Sequence, residues 1–250
     1  QGLPSSGFDA QIAGRVELHR PSADLAVMGG ALRSHTPITE LDAKLAGLLQ
    51  DEQLPRSDGI EELLEAARSP LTNTWPRTWM VGMETSTVLG GIGLRAEGAW
   101  LSHQVVQQAW LQGDTTPTTS AGLGLDWAHG TDLQVTLEGR WIHMLAPPDD
   151  LILALPDDVQ LGGLVRVGLA RGRVTLTSGG LLGLGFEEGL VRTLAQWRVS
   201  DAVEIEVGTL FVVGSHEPPD DLRDAVSYSH GPWSYFSDND CFTLGLTWIL

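Results

Sequence analysis

Apolar and polar residues alternate with a period of two in segment after segment of this chain. Residues 131–144, TDLQVTLEGRWIHM, are one example. Because successive side chains of a β-strand point to opposite faces, such a strand has one apolar and one polar face. A soluble β-sandwich buries the apolar face, whereas a membrane barrel turns it toward lipid and lines its lumen with the polar face. Strand number, connection length and aromatic positions discriminate between these folds.

Eleven segments alternate in this way, and each predicts a strand. They lie at roughly 10–19, 24–33, 77–86, 91–101, 120–129, 131–143, 160–170, 173–185, 190–199, 202–214 and 241–250. The exception is 38–69, where leucine spacing predicts two short helices. Asp58 and Glu61 resemble a capping box for the second helix, which Pro70 ends. We therefore expect an all-β chain with a two-helix insertion in one connection.

The connections between these segments alternate in length. Those near residues 20–24, 87–91, 129–131, 170–173 and 199–202 are short, whereas 34–76, 102–119, 144–159 and 215–240 are long, with only GFEEG at 185–189 short on that side. Outer-membrane barrels have short periplasmic turns and long outer loops, whereas Greek-key sandwiches mix the two. The alternation favours an antiparallel up-and-down barrel of outer-membrane type.

Six tryptophans give an independent indication. If short turns are periplasmic, Trp79, Trp100 and Trp141 fall at the outer ends of their strands. Trp127, Trp197 and Trp248 then fall at the inner ends. All six share the apolar parity, so they predict two lipid-facing belts separated by aliphatic residues. A soluble core has no need for two such rings.

The polar parity carries charges of both signs on nearly every strand. They are costly in lipid and tolerated in a hydrated lumen. The predicted lumen-lining residues are Glu84, Arg95, Glu97, Asp126, Gln134, Glu138, Arg140, Arg166, Arg192, Gln196, Arg198, Glu204 and Glu206. Arg15 and Glu17 have the same parity. The alternative, a solvated outer face of a soluble sheet, requires a second continuous apolar core that the sequence does not provide.

Composition excludes several function classes. The formal net charge of −17 argues against nucleic acid as a partner, because binding a polyanion needs a basic surface. No run of about 18 apolar residues indicates a membrane helix. Cys241 is the only cysteine, which excludes an intrachain disulfide and zinc sites built on several cysteines.

Sequence motifs typical of catalytic or cofactor-binding sites are also sparse. GLGFEEG at 183–189 does not open a helix in a βαβ unit, so it predicts a hairpin turn, not a nucleotide loop. No GxSxG, HExxH or paired-cysteine motif occurs. A site of outer-membrane protease or lipase type, with Ser, His and carboxylate converging across strands, stays an open alternative. We expect no enzyme activity and no cofactor.

Acidic residues concentrate in the predicted loops. They are Asp149, Asp150, Asp157, Asp158, Glu217, Asp220, Asp221, Asp224, Asp238 and Asp240. With Asn239 they offer oxygen ligands of the kind that Ca²⁺ takes, although EF-hand spacing is absent and solvated loop charge is the favoured explanation. Either way they form a negative vestibule, which favours cations.

The hairpins PRTWMVGMETSTVLGGIGLRAEGAWLS and SAGLGLDWAHGTDLQVTLEGRW resemble those of Gram-negative outer-membrane β-barrel proteins. More loosely, the chain is similar to the C-terminal portion of the family called domain of unknown function 1302, related to alginate-export-type porins. The ending TLGLTWIL resembles the C-terminal signal of bacterial barrels. The resemblance implies an outer-membrane location, contact with lipid and lipopolysaccharide, and recognition by the barrel-assembly machinery through the last strand.

An odd count of eleven strands conflicts with the even number expected of a bacterial barrel. A further strand is therefore expected near residues 1–9, in a preceding portion of the chain, or in a second polypeptide. The leading functional hypothesis, for residues 1–250 as one barrel domain or the C-terminal part of one, is a passive porin or channel for small solutes. The alternative is a structural barrel with a plugged lumen that anchors, or forms part of, a larger envelope assembly.

Overall fold

The structure, a computed structural model, describes residues 11–50, 70–214, 233 and 240–248. The strands are β1 (Ile12–Arg20), β2 (Ala23–Arg33), β3 (Ile38–Leu41), β4 (Leu71–Thr74), β5 (Arg77–Leu89), β6 (Ile92–Gln108), β7 (Gln112–His129), β8 (Leu133–Met144), β9 (Leu151–Ile152), β10 (Asp157–Leu169), β11 (Val174–Gly183), β12 (Glu188–Arg198), β13 (Val203–Val213) and β14 (Cys241–Trp248). Helix α1 (Ala43–Gln50) follows β3, and a 3₁₀ turn (Ala109–Leu111) joins β6 to β7.

Eleven long strands form one antiparallel sheet in the order β1-β2-β5-β6-β7-β8-β10-β11-β12-β13-β14. Each long strand pairs with the next long strand of the sequence, which confirms the all-β, up-and-down prediction. The short strand β9 pairs with β6, and β3 pairs with β4 in a separate hairpin.

The two ends of the sheet differ. At the end that we call the turn end, strands are joined by the short connections 21–22, 90–91, 130–132, 170–173 and 199–202. Gly90 and Gly91 form the whole link between β5 and β6, with φ of 59° and 88°. A two-residue hairpin turn of this kind requires positive φ at both positions, which glycine adopts without steric cost. At the opposite end, which we call the loop end, the strands are joined by the connections 34–76, 109–111, 145–156, 184–187 and 214–240, of which 51–69, 215–232 and 234–239 lie outside the described residues.

Three predictions about the loop end were wrong in detail. Residues 38–41 form strand β3, paired with 71–74, where a helix was predicted; helix α1 follows it. The predicted second helix, 58–69, lies outside the described residues. Residues 102–119 were predicted as a long loop, but β6 and β7 extend through most of this range as one hairpin. Asp157 and Asp158 begin β10 and do not belong to the loop.

The cross-strand registers give the sheet two chemically distinct faces. We call the face that carries Val16, Leu123, Leu137, Val165 and Leu244 the apolar face, and the face that carries Arg15, Glu84, Arg140, Arg166 and Glu204 the polar face. Within the described residues nothing covers the apolar face: these five apolar side chains are between 40 and 76% exposed.

Conventional hydrophobic burial is confined almost entirely to the loop end. Among the described residues, the buried hydrophobic side chains are Ala26, Ala46, Val106, Met144, Ile152 and Phe186, and all except Ala26 lie at or beyond that end. There β9 crosses from the end of β8 to pair with Gln107 and Gln108 of β6. Over the part of the chain that the structure describes, the body of the sheet therefore has no apolar core of its own.

Candidate functional site

The registers place all thirteen residues predicted to line a lumen on the polar face. Glu84 stands opposite Glu97, Gln134 opposite Arg166, and Arg198 opposite Glu204. Directly opposed residues share a face, and the remaining members follow by period two along each strand. The sequence alternation therefore assigned the faces correctly, although which of these charges meet depends on register.

One ion-pair network joins β1 to β5. The Arg15 guanidinium pairs with Glu17 on its own strand and with Glu84, two strands away in the sheet. Ala26 of β2 stands between Glu17 and Glu84 in register and is buried. Its small side chain leaves room for the arginine to bridge over β2.

A second network joins β6, β7 and β8. The Arg95 guanidinium donates to Asp126 through Nε (3.0 Å) and to Glu138 through Nη2 (2.6 Å). Thr136 Oγ1 donates to the other Asp126 oxygen at 2.7 Å. Gly124 stands opposite both Arg95 and Glu138, so the arginine crosses β7 at a position without a side chain.

Glu97 and Arg140 stand on either side of Gly122, in the same cross-strand row as Glu17 and Glu84 and one row nearer the loop end than Arg95. Both side chains are exposed. No ion pair within 4.0 Å involves either of them among the described residues. This part of the polar face therefore carries opposite charges that are close in register but not joined.

The polar face of β10–β13 is less densely charged. Gln196 donates to Glu206 (3.2 Å) and Glu204 (3.5 Å). The exposed arginines Arg166, Arg192 and Arg198 make no ion pair with described residues. Several aliphatic residues share their face: Leu164, Leu181, Leu190, Leu194 and Leu210. The prediction that charges of both signs recur along the polar face thus holds better for β1–β8 than for β10–β13.

The charged networks line a cavity of about 540 Å³ on the polar face of β1–β8. His19 and Asp24, which sequence reasoning did not select, lie at its turn end. His19 Nδ1 is 2.9 Å from Asp24 Oδ1, and His19 Nε2 is 3.2 Å from Glu17 Oε2. The alternation of side chains along β1 could have identified His19, because it continues the polar-face series of Arg15 and Glu17.

A second cavity, of about 300 Å³, lies near the loop end. Its lining includes Arg140, which also lines the larger cavity, together with Phe186 and Trp233. Glu188 lines it as well; this side chain is buried, and its carboxylate accepts a 3.0 Å hydrogen bond from the Trp233 backbone N–H. Sequence reasoning treated Glu188 as part of a turn, and no periodic signal marks a residue buried by distant segments.

The six predicted belt tryptophans all lie on the apolar face, between 38 and 70% exposed. Two of them stack on a histidine two residues along the strand and farther from the centre of the sheet. The Trp127–His129 ring centroids are 6.0 Å apart and those of Trp141–His143 are 5.6 Å apart. Trp79, Trp100 and Trp141 form a row at the loop end, and Trp127, Trp197 and Trp248 form a row at the turn end.

Ionisable residues of the apolar face occupy strand ends only. On the described long strands they are Arg20, Arg33, Arg77, His129, His143 and Asp157. Arg77, His129 and His143 share their strands with a tryptophan. Each of these ionisable residues lies farther from the centre of the sheet than that tryptophan. The His143–Asp157 pair, 2.7 Å apart, is one such contact at the loop end. Between the two tryptophan rows the described apolar face carries no ionisable side chain.

The predicted calcium ligands fall only partly within the described residues. Glu217, Asp220, Asp221, Asp224, Asp238 and Asn239 lie outside them. Asp149, Asp150, Asp157, Asp158 and Asp240 lie within. Over the ranges that the structure describes, His, Cys, Asp and Glu side chains form no group of three or more suited to holding a metal ion.

Comparison with known proteins gives no assignment: no family model matches the chain, and no curated protein resembles it significantly. Among the described residues, no helix has both the length and the apolar character needed to cross a membrane.

Proposed function

We propose that this chain forms part of the wall of an outer-membrane β-barrel and that its polar face lines a water-filled path for small solutes. The observation that carries the proposal is the absence of ionisable side chains between the tryptophan rows of the described apolar face. A barrel wall needs this distribution, because charge is costly in hydrocarbon and tolerated at its borders. No chemical step is involved.

Exposure of the apolar face to water would be strongly unfavourable. Fully burying one Val or Leu side chain contributes about 1.5–3 kcal/mol, and monomeric soluble proteins rarely expose apolar patches above a few hundred Å². Here aliphatic residues from β1 to β14 form one continuous exposed surface. Lipid supplies the apolar environment that this surface requires.

Hydroxyl groups on the apolar face fit the same environment. Thr85 Oγ1 donates to the backbone carbonyl of Asp24 at 2.9 Å, and the hydroxyls of Ser178 and Thr193 are 3.1 Å apart across β11 and β12. A polar group in lipid costs free energy unless it has a hydrogen-bond partner. These three side chains therefore stay compatible with a lipid-facing position.

The two tryptophan rows are closer together than the apolar band of about 25 Å in typical outer-membrane barrels. Trp127 stands opposite Val135 on β8, six residues before Trp141. Six residues span about 20 Å along a strand, or roughly 15 Å of height at a tilt near 40°. Tryptophans prefer the two interfaces of a membrane, and we place the short connections of the turn end on the periplasmic side.

Completion of the barrel requires further strands. As the first and eleventh members of an antiparallel series, β1 and β14 run in the same direction, and each has an edge unpaired among the described residues. Unpaired backbone groups are costly in lipid. Antiparallel completion therefore takes an odd number of additional strands, which gives an even total. Their source stays a prediction; residues 1–9 lie outside the described residues.

A structural barrel is the second candidate. The burial of Ile152 and Phe186, the aliphatic residues on the polar face of β10–β13, and the contact of Trp233 with Glu188 all narrow the space near the loop end. These features favour a lumen that is partly filled. Such a barrel would anchor an envelope assembly through its loop end instead of passing solutes.

Two measurements test the proposal. Refolded protein in vesicles should show tryptophan fluorescence quenched most strongly by lipids brominated near the headgroup, because both rows lie at interfaces. In planar bilayers the same protein should give ohmic conductance. Quenching without conductance would support the structural barrel, whereas a folded protein that stays in water and does not enter vesicles would refute the membrane assignment.

A further inference from the structure

We call a set of residues aligned across neighbouring strands a rung. Two neighbouring rungs of β6, β7 and β8 have the same arrangement, with the positive and negative residues exchanged between β6 and β8. In the first, Arg95 on β6 and Glu138 on β8 stand on either side of Gly124 on β7. In the second, Glu97 on β6 and Arg140 on β8 stand on either side of Gly122. The four charged residues lie on the polar face, two residues apart along each strand.

The first rung is closed. Arg95 lies so close over Gly124 that a Cβ built on that glycine would be 3.3 Å from Nε and Nη2. The guanidinium then reaches Glu138 at 2.6 Å. Glycine at the middle position is what allows the side chain from β6 to cross β7.

The second rung is open. Glu97 leans over Gly122 in the same manner, because a Cβ on that glycine would be 2.8 Å from both Cγ and Oε1. However, no Arg140 nitrogen lies within the 4.0 Å of an ion pair from Glu97, or from any other described carboxylate. A carboxylate and a guanidinium therefore face a common space without meeting.

The surrounding space is accessible. Glu97 and Arg140 both line the cavity of about 540 Å³, and Arg140 also lines the cavity of about 300 Å³ at the loop end. Adjacent strands are roughly 4.8 Å apart, so the backbones of β6 and β8 lie about 9.6 Å apart, with only glycine between the two side chains.

We propose that Glu97 and Arg140 bind the ammonium and the carboxylate of one small zwitterionic solute, such as a free amino acid, above Gly122. This inference rests on the proposed function, because it requires solutes to reach the polar face. Arginine presents a planar fork that matches a carboxylate, and Glu97 accepts from an ammonium. A solute with a single charge gains only one of these contacts.

The expected binding is weak, since both side chains are solvent exposed and exposed ion pairs contribute little. Weak binding suits a transport path, where a solute must be able to leave as well as enter. Loss of one exposed contact should lower affinity by about fivefold.

The test uses the full chain folded in detergent micelles, with 4-aminobutanoate as the zwitterion and butylammonium and butanoate as singly charged controls. Titration calorimetry or chemical-shift titration should show tighter binding of 4-aminobutanoate than of either control. Glu97→Gln and Arg140→Gln should each weaken it about fivefold, whereas Glu204→Gln, on the same face but outside the cavity lining, should not. Gly122→Ala should also weaken binding while keeping both charges, because the added Cβ displaces Glu97.

Exchange of the two charges, Glu97→Arg with Arg140→Glu, gives a readout that a structural role would not produce. A zwitterion can bind in reversed orientation, so the double variant should bind more tightly than either single Gln variant. Equal affinity for the zwitterion and the two controls, or no effect of the Gln variants, would overturn the inference.

Bilayer conductance in potassium chloride, measured in parallel, separates this inference from the proposed function. Conductance without selective zwitterion binding would refute the binding site and support the pore. Selective binding without conductance would support the binding site and refute the pore. Absence of both binding and conductance would refute both proposals.

Discussion

An arginine at position 137 gives the sharpest test of which face meets lipid. Leu137 is 53% exposed on the apolar face, where its register partners are Leu125 and Gly163. It precedes Trp141 by four residues, which is about 13 Å along the strand and roughly 10 Å of height at a 40° tilt. Leu137 therefore lies between the two tryptophan rows, about 3 Å of height from their midpoint.

The expected magnitude follows from that depth. Arginine near the midplane of an outer-membrane barrel costs about 2–4 kcal/mol, and near the interface about 0–1 kcal/mol. Leu137→Arg should therefore lower the free energy of unfolding by about 2–4 kcal/mol. Val135→Arg should cost about 0–1 kcal/mol, because Val135 stands opposite Trp127 at the turn-end row.

Thr136→Arg is the matched control. Thr136 is adjacent in sequence and at similar depth but lies on the polar face, next to the Asp126 carboxylate. Its replacement should change stability by no more than about 1 kcal/mol, the scale of one hydrogen bond. The measurement is an equilibrium guanidinium titration in lipid vesicles, followed by tryptophan fluorescence. Equal destabilisation by Leu137→Arg and Thr136→Arg would refute the assignment of the faces.

Three further predictions concern topology, selectivity and the ion-pair network. In a Cys241→Ser background, a cysteine replacing Asp149 should react with an impermeant maleimide on intact cells and one replacing Arg171 should not; the reverse pattern would invert the orientation. Replacing Asp149 and Asp150 by Asn should reduce cation preference at low salt, measured as reversal potential, and have little effect near 1 M, where the Debye length is about 3 Å; preference for anions in the unmodified pore would contradict this. Arg95→Ala should increase cation preference because it leaves Asp126 and Glu138 without their cation, while costing under about 1 kcal/mol of stability in the same vesicle titration, since the pairs are exposed; unchanged selectivity would place the network off the ion path.

The sequence predicted the strands well where their two faces differ in polarity. Alternation located all eleven long strands and placed Glu84, Arg140 and Glu206 on one face and Trp79 and Trp197 on the other. It failed at the loop end for the same physical reason. Residues 102–119 continue as a paired hairpin, but polar residues occupy both of its faces, so no period of two marks it.

The leucine spacing at 38–41 led to a wrong prediction of helix for a related reason. Leu41 fits a leucine pattern, yet it pairs with Leu71 in the β3–β4 hairpin. Four residues are too few for periodicity to distinguish a helix from a strand, and the pairing partner lies about thirty residues away in sequence. Only the tertiary structure selects between them.

The sequence by itself therefore determined the eleven long strands, the two faces and the two tryptophan rows, because each depends on side-chain direction along a single strand; it did not predict the short strands β3, β4 and β9. The tertiary structure decided which charges meet. Arg95 reaches Glu138 because the registers of β6, β7 and β8 align both with Gly124, whereas Arg140, one rung away, has no ion pair among the described residues. It also decided the burial of Glu188 and Ile152, which contact or pair with segments distant in sequence. Such contacts arise from the packing of whole strands and loops, which no local pattern of residues encodes.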